Sequence, residues 1–196
     1  MSPSWNSRFL RLAGLCGAIA PILSFGLILY AVAISPWFSW QTDALSDLGR
    51  YPRQSALPFN VALIAGGILN VMLVLGVGRW IGPGRLGRLG TAASLVGAVA
   101  LGLIGVFPEN VVGPHWTAAA TYFLVTPIGY ALVGAELWHK GRRAHGAAAV
   151  ASALGAFVIM IFLPHDGLAV PELISSLLLS SRSFSMGIKL WLESEH

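Results

Sequence analysis

The sequence predicts an all-α fold, a polytopic membrane bundle of six transmembrane helices. Three observations predict it: a composition too apolar for water, a series of apolar windows of span length, and a one-sided placement of basic residues. Of 196 residues, 56% are hydrophobic and only 10% are charged, and the mean hydropathy is +0.74. A soluble domain carries about 25% charged residues.

The windows run over residues 12–34, 56–78, 89–107, 116–137, 146–163 and 171–192. Each reaches the roughly 17–25 residues that a helix needs to cross about 30 Å of hydrocarbon. The sixth is the least apolar, because it carries Glu172, Arg182 and Lys189. The whole chain, 1–196, reads as a single integral membrane domain, with residues 35–57 as an interfacial loop. The first window follows Arg8 and Arg11 like a secretory signal, and Ala31-Val32-Ala33 resembles a cleavage site. Its length exceeds the 7–15-residue apolar core of a signal peptide, so it is read as a retained span.

Six spans place both termini on one side. With the N-terminus in the cytoplasm, the cytoplasmic segments collect Arg8, Arg11, Arg79, Arg85, Arg88, Lys140, Arg142, Arg143, Arg182 and Lys189, leaving only Arg50 and Arg53 outside. That is the positive-inside bias, and it predicts a multi-pass protein of the cell membrane with both termini cytoplasmic. The seven tryptophans (Trp5, Trp37, Trp40, Trp80, Trp116, Trp138, Trp191) all fall in loops or at helix ends, where amphipathic rings favour the headgroup region. The net charge of +4 does not indicate a nucleic-acid partner, because the basic residues are divided among short loops. Cys16 is the only cysteine, so no intrachain disulfide can form.

The third and fifth windows share a pattern: Gly90 to Pro108 and Gly146 to Pro164 are both eighteen residues apart. A short polar link and a second proline, Pro114 or Pro171, then open the next helix. The pattern predicts repeated helical hairpins. Pro21 and Pro127 fall inside the first and fourth helices, where they are expected to kink the axis. Gly66-Gly67, Gly97 and Gly102 are expected to let backbones approach closely.

The outward loop contains Trp37, Phe38, Trp40 and Tyr51 around Thr42-Asp43-Ala44-Leu45-Ser46-Asp47-Leu48-Gly49. Thr42 or Asp43 is expected to cap a short interfacial helix that Gly49 ends. The same side holds Asp43, Asp47, Glu109, Asp166 and Glu172 with His115 and His165. Carboxylates and imidazoles suit acid–base chemistry or a divalent cation such as Zn. Candidate catalytic residues are Ser46, Asp47, His115, His165, Asp166 and Glu172; candidate metal ligands are Asp47, His115, His165 and Asp166. The competing reading is capping and loop solvation, since Pro114-His115 and Pro171-Glu172 also fit first helical turns.

On the sixth helix, Glu172, Ser175, Ser176 and Ser183 share a face with Arg182 at its edge, and Asn60 and Asn70 are expected to meet that face. Arg182 requires either an ion-pair partner, with Glu136 the candidate, or a snorkelling route to the headgroups. His139 and His145, beside Lys140, Arg142 and Arg143, are expected to face lipid headgroups.

The strings LSDLGRYP (Leu45–Pro52) and GLIGVFPEN (Gly102–Asn110), with His115-Trp116, resemble the domain-of-unknown-function 998 family of small multi-pass membrane proteins. The resemblance covers most of the chain and implies the topology above. A Ser-Asp pair with scattered histidines at one end of a small bundle is also loosely similar to the ceramidase and adiponectin-receptor superfamily of membrane hydrolases. That likeness implies a Zn site built on three histidines, one pair of them spaced HxxxH. This chain has no HxxxH pair.

The functional expectation is a membrane-embedded enzyme acting on a lipid or isoprenoid substrate at the outward polar end, by metal-assisted hydrolysis or by metal-free cyclisation. A small-molecule or proton-coupled transporter and a non-catalytic subunit of a membrane complex are the alternatives. The sequence leaves the oligomeric state open.

Overall fold

The computed structural model describes residues 3–194, with the side chains of residues 3–5 outside that description. Six long helices make up most of it: α1 Pro3–Ala33, α2 Ala56–Ile81, α3 Arg85–Val106, α4 Val112–His139, α5 Arg143–Phe162 and α6 Ala169–Glu193. Among the described residues there is no strand. Helices α1 to α5 are long and apolar enough to cross a membrane. At 25 residues α6 has the length, but its charges make it the least apolar of the six. Its Glu172 and Arg182 are buried within the bundle, which is how such a helix sits among apolar neighbours.

Several helices extend beyond their apolar windows. Helix α1 begins at Pro3 and includes Arg8 and Arg11, and α4 begins at Val112 with Pro114 in its first turn. Backbone hydrogen bonding does not stop at the edge of the hydrocarbon, and arginine is a good helix former. Pro114 fits because the first four N–H groups of a helix lack intrahelical acceptors anyway.

Each helix packs antiparallel against its sequence neighbours, and α6 closes the ring against α1. Glycines set the separation at most seams. A Cβ added at Gly14 would lie 2.7 Å from the Gly187 carbonyl, at Gly67 2.6 Å from Gly102 N, at Gly90 2.9 Å from the Gly129 carbonyl, and at Gly134 2.8 Å from the Gly146 carbonyl. Backbones can meet that closely only without side chains between them. The α5–α6 seam is looser: a Cβ at Gly155 would meet only the Leu178 side chain, at 3.1 Å.

The ring has two unlike ends. The terminal end carries both helix termini and the short links 82–84 and 140–142, and the loop end carries residues 34–55, 107–111 and 163–168. At the terminal end Glu136 accepts a hydrogen bond from the Gly87 N–H (3.0 Å) and pairs with Lys140 at 3.3 Å, while Lys140 also donates to the Ile81 and Pro83 carbonyls. The expected Glu136–Arg182 pair does not form, because Lys140 lies one turn along the same helix. Snorkelling does not occur either, since Arg182 is only 5% exposed. Asn70 meets α6 as expected, accepting from Ser183 at 2.8 Å, whereas Asn60 turns to the loop end and donates to the Gly49 carbonyl.

The interfacial loop forms a shorter element than expected, a 3-10 turn over Leu45–Gly49. Neither Thr42 nor Asp43 caps it. The Asp43 carboxylate instead accepts from the Ser39 N–H, and its carbonyl accepts from the Ala169 N–H at the start of α6. Ser55 donates to the Leu48 carbonyl and Tyr51 N–H to Asn110, so the turn is fastened to α2, α6 and the α3–α4 link together. Leu48 beneath it is fully buried.

Candidate functional site

The polar centre of the loop end is the pair Glu109–His115. Helix α3 ends at Val106, and Pro108, which has no N–H to continue a helix, turns the chain back so that Glu109 faces the first turn of α4. His115 is 4% exposed. Its Nδ1 lies 2.8 Å from the Phe107 carbonyl and its Nε2 lies 2.8 Å from Glu109 Oε2. A carbonyl can only accept, so Nδ1 carries a proton. The Nε2–carboxylate contact then requires a second, shared proton, giving either imidazolium with carboxylate or imidazole with carboxylic acid.

The charges around Glu109 decide between them. Burial pushes its pKa up, but hydrogen bonds from His115 and Ser46 and the charges of His115 and Arg50 outweigh burial and leave it below the usual carboxylate value. The carboxylate is therefore the favoured form, with the shared proton on the imidazole side. Arg50 lies 3.8 Å from Glu109 and 3.4 Å from Asp47, so charges alternate in sign along Asp47, Arg50, Glu109 and His115.

Glu172, from the first turn of α6, is 8% exposed and accepts the Leu45 N–H at 2.7 Å, with the Ser46 N–H reaching the same carboxylate. Buried carboxylates survive by collecting such donors. Glu172 thereby fixes the backbone of Ser46, whose hydroxyl is presented to Glu109.

These groups line one end of a cavity of about 210 Å³. Ser46, Glu109, His115 and Glu172 form its polar end, and Ala119, Phe123, Met160 and Leu168 continue its wall between α4, α5 and α6. Trp116, Leu124 and Ile161 line it too and are substantially exposed on the outer face of the ring, Trp116 by 58%. The cavity thus joins a polar cluster to the lipid-facing side.

Of the expected site residues, Ser46, His115 and Glu172 come together around the cavity. Asp47 does not line it; its carboxylate accepts the Ala44 N–H and pairs with Arg50. His165 and Asp166 are exposed, make no hydrogen bond or ion pair among the described residues, and lie outside the cavity lining. The expected metal set of Asp47, His115, His165 and Asp166 is accordingly not assembled, and no group of three or more metal-ligating side chains forms among the described residues. His115 has no ring nitrogen to spare, since Phe107 and Glu109 engage both. These residues do not fit a Zn site.

Sequence reasoning left Glu109 out of the catalytic set. The available signal was its position in a short link between two proline-marked helix ends, six residues before His115.

The sequence pattern of the family described as "Protein of unknown function (DUF998)" matches residues 18–186. The chain belongs to this family. No curated protein and no solved structure matches it. The match covers α2 to α5 of this DUF998 protein whole, reaches into α1 and α6, and takes in the residues around the loop-end cavity from Leu45 to Glu172.

Proposed function

We propose that this DUF998 protein is a membrane-embedded enzyme that hydrolyses a lipid or isoprenoid substrate at the loop end of the bundle. One observation carries the reading: a cavity that is polar at one end and open to the lipid-facing surface along the other. Ligand pockets combine apolar walls with a few convergent polar groups in this way. Its volume suits the labile linkage and the adjoining part of one chain, with the remainder lying along Trp116, Leu124 and Ile161.

In this mechanism a water held by the Ser46 hydroxyl gives its proton to Glu109 as it attacks the linkage. The hydroxide becomes part of the acid product, and the leaving group takes up the proton returned through the Glu109–His115 pair. General acid–base assistance of this kind contributes about 10²–10⁴-fold. Glu172 is a positioning residue acting through Ser46, and no metal is assigned a role. The loop end faces outward across the cell membrane and the termini face the cytoplasm, a reading supported by the basic residues at the terminal end.

The test uses purified protein reconstituted with a total lipid extract, followed by mass spectrometry of the lipids. Loss of one lipid class with gain of its hydrolysis products, abolished in His115→Ala, is the expected result. Identical lipid profiles for wild type and His115→Ala would refute it.

A second reading, a proton-coupled carrier, is favoured by one feature. Glu172, Ser176, Ser180 and Ser183 recur along α6 at helical spacing and lead from the cavity toward the bundle centre. Flux into sealed liposomes without lipid turnover would select it.

A further inference from the structure

Deeper in the bundle lies a second polar cluster that the proposed reaction does not use. Arg182 is 5% exposed and lines a cavity of about 30 Å³ bounded by all the helices from α2 to α6. One guanidinium nitrogen donates to Ser185 at 3.2 Å, while Nη2, fully buried, has no partner among the described residues. Among the described residues no carboxylate pairs with it: Glu136 is held by Lys140 and Gly87, Glu193 by Lys189 and Trp80, and Glu172 by the loop.

A guanidinium does not lose its proton in a protein, so the charge persists wherever it is buried. In the low dielectric of a membrane interior an uncompensated charge is costly. Ser94, on α3, lines the same cavity, is 4% exposed, and its hydroxyl likewise has no partner among the described residues. Tyr130 and Ser183 also line it but are committed: Ser183 donates to Asn70, so Tyr130 donates to Ser183. The unused groups, Arg182 Nη2–H and Ser94 O–H, are both donors. Water would satisfy them but would leave the charge unbalanced.

We propose that this cavity binds a single monatomic, monovalent anion of the chloride class, held by Arg182 and Ser94. The volume admits an object about the size of one or two waters, which excludes phosphate, sulfate and carboxylate ligands. The bound anion supplies the counter-charge that no described residue provides and ties α6 to α3 through the ring.

The experiment uses the full chain in nanodiscs of zwitterionic lipid, exchanging gluconate for chloride at constant ionic strength. Chloride NMR line width and the thermal midpoint are read together. Saturable broadening at one site per chain, a rising midpoint, replacement by bromide and indifference to sulfate are expected. Arg182→Gln should abolish both responses while remaining monodisperse and helical. Ser94→Ala keeps the charge but loses one hydrogen bond to the anion, so affinity should fall about tenfold. A wild type indifferent to chloride, or saturable binding that survives Arg182→Gln, overturns the proposal. If Arg182→Gln does not fold, unchanged affinity in Ser94→Ala overturns it equally.

Discussion

The two ends of the bundle use the same device for different purposes. At the terminal end Glu136 takes a backbone N–H from Gly87 and pairs with Lys140; at the loop end Glu172 takes backbone N–H groups from the 3-10 turn, and Glu109 pairs with His115. The difference is the space around the carboxylates. Glu136 packs against Gly84 and Gly87, where an added Cβ at Gly84 would overlap the carboxylate. Glu109 and Glu172 border a cavity of about 210 Å³. A buried carboxylate with satisfied donors is structural where backbone fills the space beside it, and becomes chemically available only where a ligand can sit.

The largest effect that tests this contrast is on turnover. His115→Ala is expected to reduce lipid hydrolysis by about 10²-fold or more, while circular dichroism shows the helical content unchanged. The counterpart, Glu136→Ala, is expected to lower the thermal midpoint by several degrees and leave turnover per folded molecule unchanged. If Glu136→Ala abolishes turnover as completely as His115→Ala, the two ends are not functionally distinct.

A smaller effect sharpens the role of the cavity. Ala119→Phe narrows its apolar wall without touching the polar end, and about a tenfold loss of kcat/KM on long-chain substrate is expected, with shorter chains affected less. Equal losses on all chain lengths would detach the cavity from substrate binding.

The smallest effect is in pH dependence. Because the folded pKa of Glu109 is lowered, its contribution to stability is fully present above the unfolded value of about 4.3. It is lost as pH falls through the still lower folded value. Wild type and Glu109→Gln should therefore differ in thermal midpoint at neutral pH and converge in acid. A gap that stays constant down to pH 3 would show that the ion pair contributes nothing.

Much of the fold was legible because membrane constraints write themselves in one dimension. Span-length apolar windows, tryptophans at their ends and basic residues in alternate links identify six helices without tertiary knowledge. The closing of α6 on α1 was not legible, because helix neighbours in lipid are chosen by close packing at glycines such as Gly14 and Gly187 rather than by hydrophobicity.

The polar grouping at the loop end was legible in part: Ser46, His115 and Glu172, singled out from the sequence, line one cavity. Proximity to an end says nothing about direction, however, and His165 and Asp166 point to solvent although they neighbour Gly167, which packs on the loop backbone at Thr42 and Asp43. Of the two routes expected for Arg182, the ion pair with Glu136 is pre-empted by Lys140, one turn from Glu136, and the side chain is buried rather than snorkelled.

The closed ring also bears on the order in which the protein matures. Helix α6 is synthesised after the other five and is the least able to partition into lipid alone, since Glu172, Arg182 and Lys189 all lie within it. Its insertion relies on a seam already prepared by α1 on one side and α5 on the other. The 3-10 turn, made more than a hundred residues earlier, has no Glu172 to dock on until that helix arrives. A ribosome stalled before residue 172 would therefore hold five inserted helices and an unfastened loop, so the polar pocket is completed only once α6 has been made.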